Sequence, residues 1–367
     1  MTFILHYYLT FLHTSNIIYL SIYFSGGFIM AVTLKDVALL AGVSPSTVSR
    51  TCNDHPSISD ETKEKVRRAM AELGYEPNIN SNTTTYNIRT IGIILPPSPK
   101  EAYENAFYLE AIRGISSFCN QKQYANTIIT GNSEEELLSV IQSMSKSGQV
   151  DAFIILYSRL DDSIVNYLYS EGLLYVVIGK ANQFANQTIY VDNDNLLAGQ
   201  EATEYLIKKG HKKIAYIGKD FNLTFSADRK AGYQLALIAN QIAWNPDYCL
   251  ELPIKTKTHF EKIRALLDQD NRPTAVVVSD DIMAFTLKHV CMELGLSIPG
   301  DLSIVSFNNS MIARLSHPQL TSVDINSFQL GIEAASQMIN HIEDPNLMAT
   351  KIIVPHQLIE RDSCKSV

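Results

Sequence analysis

The chain has 367 residues, 46% hydrophobic and 19% charged, with a formal net charge of −8. These values exclude a disordered chain, a collagen-like repeat and a multi-span membrane protein, and the length calls for two or three compact units. The negative balance also excludes a polycation that coats nucleic acid, so any contact with DNA must use a local surface.

Five cysteines (Cys52, Cys119, Cys249, Cys291, Cys364) stand singly, with no Cys-x-x-Cys pair. They read as small apolar residues of a reducing, cytoplasmic compartment and not as a disulfide or zinc framework.

Residues 1–29 carry no Lys, Arg, Asp or Glu. A positive n-region and a small-residue cleavage site are missing, and His6, Thr10, His13, Thr14, Ser15 and Asn16 interrupt the apolar run that a membrane span would need. The expectation is a non-native upstream start, with translation beginning at Met30; a membrane-associating tail is the alternative.

Three helices are expected over residues 30–77. Thr33 and Asp36 have capping-box spacing, and Leu34, Val37, Ala38 and Ala41 fall on one helical face before Gly42-Val43 breaks the helix. Ser44 is suited to an N-cap and Pro45 to the first helical position of a second helix that runs to about Cys52. Ser59 caps a third, with Asp60 and Glu61 in its first turn, Gly74 past its end, and Val66, Ala69, Met70 and Leu73 as its buried stripe. Lys63, Lys65, Arg67 and Arg68 are read as lying off that stripe.

Two short helices joined at a glycine, with a third closing the core, make a helix-turn-helix. The helical pattern alone fits a small bundle without a DNA role. The side chains shift the balance. Ser44, Ser46, Thr47 and Ser49 are small hydroxyls that let a backbone approach phosphates, and Arg50 can bond a guanine edge. Charge gives no help, since residues 30–88 hold six basic and seven acidic side chains.

The run Thr33-Leu-Lys-Asp-Val-Ala-Leu-Leu-Ala-Gly-Val-Ser-Pro-Ser-Thr-Val-Ser-Arg50, with Asn53 and the later Gly74-Tyr-Glu-Pro77-Asn78, resembles the DNA-binding head of the lactose-repressor (LacI/GalR) family. The resemblance implies that Ser46 and Arg50 read bases in the major groove, that Pro45 shapes the helix start, and that Ser44, Thr47, Ser49 and Asn53 hold phosphates. It also implies a homodimer on palindromic operator DNA. The hinge linker, residues 78–89, departs from the family. No leucine is present to wedge into the minor groove, and three consecutive threonines are poor helix formers. The expectation is that Ile79, Tyr86 or Ile88 substitutes, or that kinking is slight.

Beyond residue 90, apolar runs bounded by turn signals recur at Ile91–Leu95, Thr127–Thr130, Ala152–Leu156, Leu174–Ile178, Ile214–Ile217, Thr274–Val278 and Ser303–Phe307, with amphipathic stretches such as Leu196–Lys209 and Asp281–Leu294 between them. Alternation of this kind predicts an α/β core of two doubly wound parallel-sheet subdomains, with ligands bound in the cleft between them. Val191-Asp-Asn193, Lys209-Gly-His211, Ser226-Ala-Asp-Arg229 and Asp280-Asp281-Ile-Met-Ala284 resemble the same family's periplasmic-binding-protein-like effector core. The expected N-subdomain covers about 90–188 and 320–343, the C-subdomain about 189–318 and 350–362. Within the family, Glu104–Tyr108, Ile178–Lys180 and Val191–Asn195 are most similar to the maltose-operon repressors of Gram-positive bacteria.

The resemblance implies a small-molecule sugar effector. Arg229 offers a fork for vicinal hydroxyls, Asp281 a carboxylate acceptor, Phe107, Tyr108 and Tyr157 stacking faces, and Lys180 and Asn308 polar groups after strand ends. Alone, the aromatics read as core packing, Asp281 as a helix cap and Arg229 as a surface ion pair. No phosphate-binding glycine loop, zinc-binding His-Glu-x-x-His or nucleophile elbow occurs, so no enzyme, metal or cofactor is expected. His211, just past a helix, is read as a C-terminal cap. The expected function is a soluble, cytoplasmic repressor of maltose or maltodextrin genes, released from its operator by sugar. An exported sugar receptor with the same core and a corepressor-dependent regulator are the alternatives.

Overall fold

The computed structural model describes residues 33–52, 58–75, 89–252 and 258–367. Residues 1–32, Asn53 and most of the hinge, with Ile79, Tyr86 and Ile88, lie outside the described residues. The chain divides into two compact units, Met1–Thr85 and Tyr86–Val367.

The first unit contains α1 (Leu34–Ala41), α2 (Pro45–Cys52) and α3 (Asp60–Leu73). The Asp36 carboxylate accepts from both the N–H and the hydroxyl of Thr33, so the start of α1 is fixed by the residue pair that marked it. Ser44 Oγ accepts from the Thr47 N–H at 3.2 Å and caps α2. Ser59 accepts from the Thr62 N–H, and Gly42 and Gly74 close α1 and α3 in the left-handed region at φ +67° and +63°. Val37, Ala38, Val48, Val66 and Ala69 form the core. Lys63 is a correction to the sequence reading. It lies three residues before Val66, on the buried stripe, and is only 8% exposed.

The second unit runs β1 (Thr90–Ile94), α4 (Pro99–Glu104), α5 (Ala106–Gln121), β2 (Ala125–Ile129), α6 (Glu134–Lys146), β3 (Ala152–Ile155), α7 (Ser163–Ser170), β4 (Tyr175–Ile178) and β5 (Ile189–Asp192). It continues with α8 (Asn195–Lys208), β6 (Ile214–Gly218), α9 (Thr224–Ala239), β7 (Cys249–Glu251), α10 (His259–Leu267), β8 (Ala275–Val278), α11 (Asp281–Glu293) and β9 (Ser303–Phe307). Then follow α12 (Met311–Leu315), β10 (Thr321–Asp324), α13 (Ser327–Glu343), β11 (Lys351–Ile353) and β12 (Gln357–Ile359).

Two six-stranded sheets result, ordered β11-β5-β4-β3-β1-β2 and β12-β10-β9-β8-β6-β7. All pairings are parallel except β10 with β12. Apolar side chains cover both faces of each sheet. In the first, Ile91, Ile93 and Ile154 pack with α5 and α13, whereas Ile94, Phe153 and Ile155 pack with α6 and α7. Burial on both faces explains why the strands read as continuous apolar runs instead of alternating ones.

Sheet membership corrects the expected subdomain limits. β5 pairs with β4 and β11 with β5, so residues 189–192 and 351–353 belong to the first lobe. β10 pairs with β9, which places 321–324 in the second. These strands are only three or four residues long, and their side-chain pattern fits either sheet. The chain therefore crosses between lobes after Asp192, Asp324 and Ile353. Asn193, on the first crossover, donates from Nδ2 to Ile325 O at 3.0 Å on the second and to Val354 O at 2.8 Å on the third. One amide thus ties the three connections together.

Helix pairs approach closely through glycine. A Cβ on Gly199 of α8 would lie 2.3 Å from Arg229 O, and one on Gly232 of α9 would lie 2.0 Å from Leu196 O. His211 does not cap α8. Its Nδ1 faces Thr274 Oγ1 at 2.9 Å and its Nε2 faces Lys365 O at 3.2 Å, which binds the C-terminal tail to the second lobe.

Candidate functional site

A cleft opens between the lobes of the second unit, at the carboxyl ends of β3, β4, β5, β8 and β9. From the first lobe it is lined by Asn105, Phe107, Tyr108, Tyr157, Gly179 and Asp192, and from the second by Phe225, Arg229, Ser279, Asp280 and Asn308. Asn193 and Asn195 of the first crossover form the floor between them.

Arg229 organises the site. It is 3% exposed, donates from Nε to Asn195 Oδ1 at 2.9 Å and from Nη1 to Ser279 O at 2.7 Å, and lies over the rings of Phe307 and Phe225 at 4.2 and 4.9 Å. Burial lowers its pKa to about 10, with Tyr216, Asp192, Asp280 and Asp281 opposing, so it stays cationic at neutral pH. Asn195 relays the contact, since its Nδ2 donates to Asp192 Oδ1 at 2.9 Å. Burial pushes the Asp192 carboxyl up to about 7 despite the Asn193 N–H and Arg229.

The sign of the linkage follows. A carboxyl whose folded-state pKa is raised contributes its stability in full below the ordinary carboxylate range and loses it as pH rises towards about 7. Asp192→Asn is therefore expected to gain stability relative to the parent between pH 5 and 8, with the difference widening up to about pH 7 and levelling off above it. Urea unfolding at three pH values checks it.

Of the expected effector residues, Phe107, Tyr108, Tyr157, Arg229 and Asn308 line the cleft. Phe107 and Tyr108 meet edge-on at 5.2 Å between centroids, at the start of α5, where Asn105 accepts from the Phe107 N–H. Asn308 and Asn309 follow β9 at φ +94° and +47°, a conformation asparagine tolerates, and this turn brings Asn308 to the cleft. Gly179 has φ +120°, and a Cβ there would lie 2.8 Å from Ser158 Cβ, so only glycine fits the first-lobe wall.

Lys180 and Asp281 are corrections. Lys180 is half exposed and reaches across to Asp228 of the second lobe at 3.3 Å, outside the lining. Beside it Thr224 N–H donates to Ser158 O and Leu160 N–H to Asn222 O, so the lobes touch there directly. Asp281 is buried on the far side, where its carboxylate accepts from the hydroxyls of Ser306 and Ser322 and the Ser310 N–H. Its neighbour Asp280 faces the cleft instead. Asp280 is the extended N-cap of α11, at φ −158°, accepting from the Met283 N–H, and the chain turns into the helix immediately after it. An Asp-Asp pair at a strand-to-helix junction does not tell which carboxylate points out. Asp281→Ala strands two buried hydroxyls and a part-buried N–H and is expected to cost about 2–4 kcal/mol of stability in urea unfolding.

The sequence reading missed Asp192, Asn195, Phe225, Ser279 and Asp280. The Val191–Asn195 stretch and the strand-end position of Asp280 were the available signals.

In the head, Ser44 and Pro45 are exposed at the start of α2, and Ser44 Oγ lies 2.8 Å from Thr47 Oγ1. Ser46, Ser49 and Arg50 lie on α2, whereas Asn53 lies outside the described residues. Among the described residues there is no group of side chains that could hold a metal ion and no helix long and apolar enough to cross a membrane.

A helix-turn-helix head joined to a two-lobed α/β core with a polar cleft defines a DNA-binding regulator. Residues 33–78 match the model of bacterial regulatory proteins of the lacI family, and residues 203–364 match a periplasmic binding protein-like domain. The chain is 35% identical to the transcriptional regulator MalR of Staphylococcus xylosus over 337 residues, 92% of this chain and 99% of that protein. The solved complex of the regulator CelR with cellobiose superposes with a TM-score of 0.71 at 27% identity, covering 90% of this chain and 99% of that one. The solved structure described as a probable maltose operon repressor from Staphylococcus aureus gives 0.70 at 27% identity, covering 76% and 99%. The chain belongs to the lacI family, as a transcriptional repressor similar to MalR and not an enzyme.

Proposed function

We propose that this protein represses maltose or maltodextrin utilisation genes as a homodimer on a palindromic operator, and that a sugar bound in the interlobe cleft releases it. The observation that carries the reading is the cleft itself. A buried guanidinium, two carboxylates and four amide side chains converge there with four aromatic rings, a combination that serves the hydroxyls and the apolar faces of a sugar ring. The likeness to MalR and to the cellobiose-bound regulator supports the same substrate class. In the head, Ser46 and Arg50 are proposed as base readers and Ser44, Thr47, Ser49 and Asn53 as phosphate contacts, with Pro45 setting the helix start.

Sugar binding and operator binding must weaken each other by the same factor. Fluorescence anisotropy on a palindromic operator from a maltose-gene promoter, at low salt, tests this. Operator affinity is expected to fall at least about tenfold in saturating maltose, a coupling of about 1.4 kcal/mol. Tighter binding in maltose would make the sugar a corepressor, and no operator binding at low salt would overturn the reading.

A further inference from the structure

We infer that the effector is an uncharged polyhydroxy compound, and that the Lys219–Asp280 pair with the Ser279 hydroxyl makes the cleft reject phosphorylated sugars. The inference rests on the reading of the cleft as a sugar site and adds the charge class of its ligand, with residues the sequence did not mark.

Ser279 is completely buried on the cleft wall, and its Oγ makes no hydrogen bond among the described residues. Its neighbour Asp280 caps α11 through Oδ1, with the Met283 N–H at 2.7 Å, and holds Lys219 Nζ at 2.8 Å from Oδ2. Both partners of this pair are buried, at 9% and 3% side-chain exposure. Burial works against the charged form of Asp280. Lys219, the Met283 N–H and Arg229 more than offset it and hold the carboxyl below its ordinary value. The cleft wall thus carries the cation Arg229 and the carboxyl groups of Asp192 and Asp280, and Lys219, outside the lining, pairs with Asp280. Two N–H groups of Arg229 are already committed to Asn195 and Ser279 O. Lys180, at the rim, is matched by Asp228.

A phosphate dianion entering this space would lose its hydration and meet two carboxylates whose counter-charges are already in place. A hydroxyl group meets no such penalty. It can accept from Ser279 O–H and donate to Asp280 or Asp192 at once. The helix starts nearby are partly committed, because Asn105 and Asp280 each take one first-turn N–H, of Phe107 in α5 and of Met283 in α11. Only α9 begins at the cleft without a capping side chain, at Leu223, and one such end does not offset the desolvation of a dianion.

Isothermal titration of the full chain with maltose and with maltose 6′-phosphate tests the inference. Maltose is expected to bind at least about tenfold more tightly. Asp280→Asn keeps the helix cap, since asparagine accepts the same N–H, but removes one negative charge from the cleft wall. In this variant the preference is expected to move towards the phosphorylated sugar by about tenfold or more, and inorganic phosphate is expected to raise its Tm but not that of the parent. Asp192→Asn removes the other carboxyl group of the cleft and, in titrations run above its pKa of about 7, takes its place if Asp280→Asn does not fold. A parent that binds the phosphorylated sugar as tightly as maltose overturns the inference, as does a folded variant with neither change. A chain that binds operator but neither sugar overturns the sugar reading, and the phosphate-dependent Tm of the variant still decides the charge argument.

Discussion

Arg229→Ala is expected to abolish release from operator by sugar while leaving operator binding intact, and to lower the stability of the core by about 3–5 kcal/mol, the range for removing one partner of a buried charge network. The substitution removes the donors to Asn195 Oδ1 and Ser279 O and the group packed between Phe225 and Phe307. It also removes the cation that opposes the upward shift of Asp192, so that carboxyl holds its proton more firmly at neutral pH and acts as a donor more than in the parent. Arg229→Lys restores a charge but not the planar fork, and is expected to recover part of the stability and little of the response. Urea unfolding followed by anisotropy with and without maltose separates the two effects. A variant that loses stability yet still leaves the operator at the parent's maltose concentration would place effector recognition elsewhere.

The second large effect comes from one added methyl group. Gly232→Ala sits mid-helix in α9, where alanine by propensity alone would add about 1 kcal/mol of stability. The opposite is expected. The new Cβ would meet Leu196 O at 2.0 Å and Gln200 N at 2.6 Å, both backbone atoms that cannot rotate away. Relief requires α8 and α9 to separate, and overpacking of this kind costs about 1–3 kcal/mol or more. A net loss of at least about 2 kcal/mol corresponds to a fall in Tm of roughly 5 °C or more. The consequence extends to the cleft, because Arg229 lies on α9 one turn before Gly232 and Asn195 begins α8. A shift between these helices lengthens the 2.9 Å contact from Arg229 Nε to Asn195 Oδ1. Sugar affinity of the folded variant is therefore expected to fall along with its Tm, as calorimetry and titration on one preparation can show.

Much of this molecule is written in local chemistry. Thr33 with Asp36, Ser44 before Pro45, and Ser59 before Asp60 mark helix starts because a capping side chain acts within three residues of itself. The apolar runs mark strands because both faces of each sheet are covered, and five of the seven expected effector residues follow from strand ends and a family pattern. What tertiary structure alone decided depends on contacts between residues far apart in the chain. β5, β10 and β11 are too short to declare their sheet, and their partners lie up to about 160 residues away. Asp281 and Asp280 differ only in which way the backbone turns at the start of α11. That turn buries the first among three serines and gives the second to the cleft. Asp192 becomes a titratable group near neutrality only through the burial that the fold imposes on it, against the opposing charge of Arg229. The elements were thus legible in the sequence because capping and apolar patterning are short-range, and the class of protein through the resemblance of the head and core motifs to a known family. The assignment of carboxylates, cations and crossovers to the site was left to the packing of two lobes, where desolvation and pairing across long sequence separations set the chemistry.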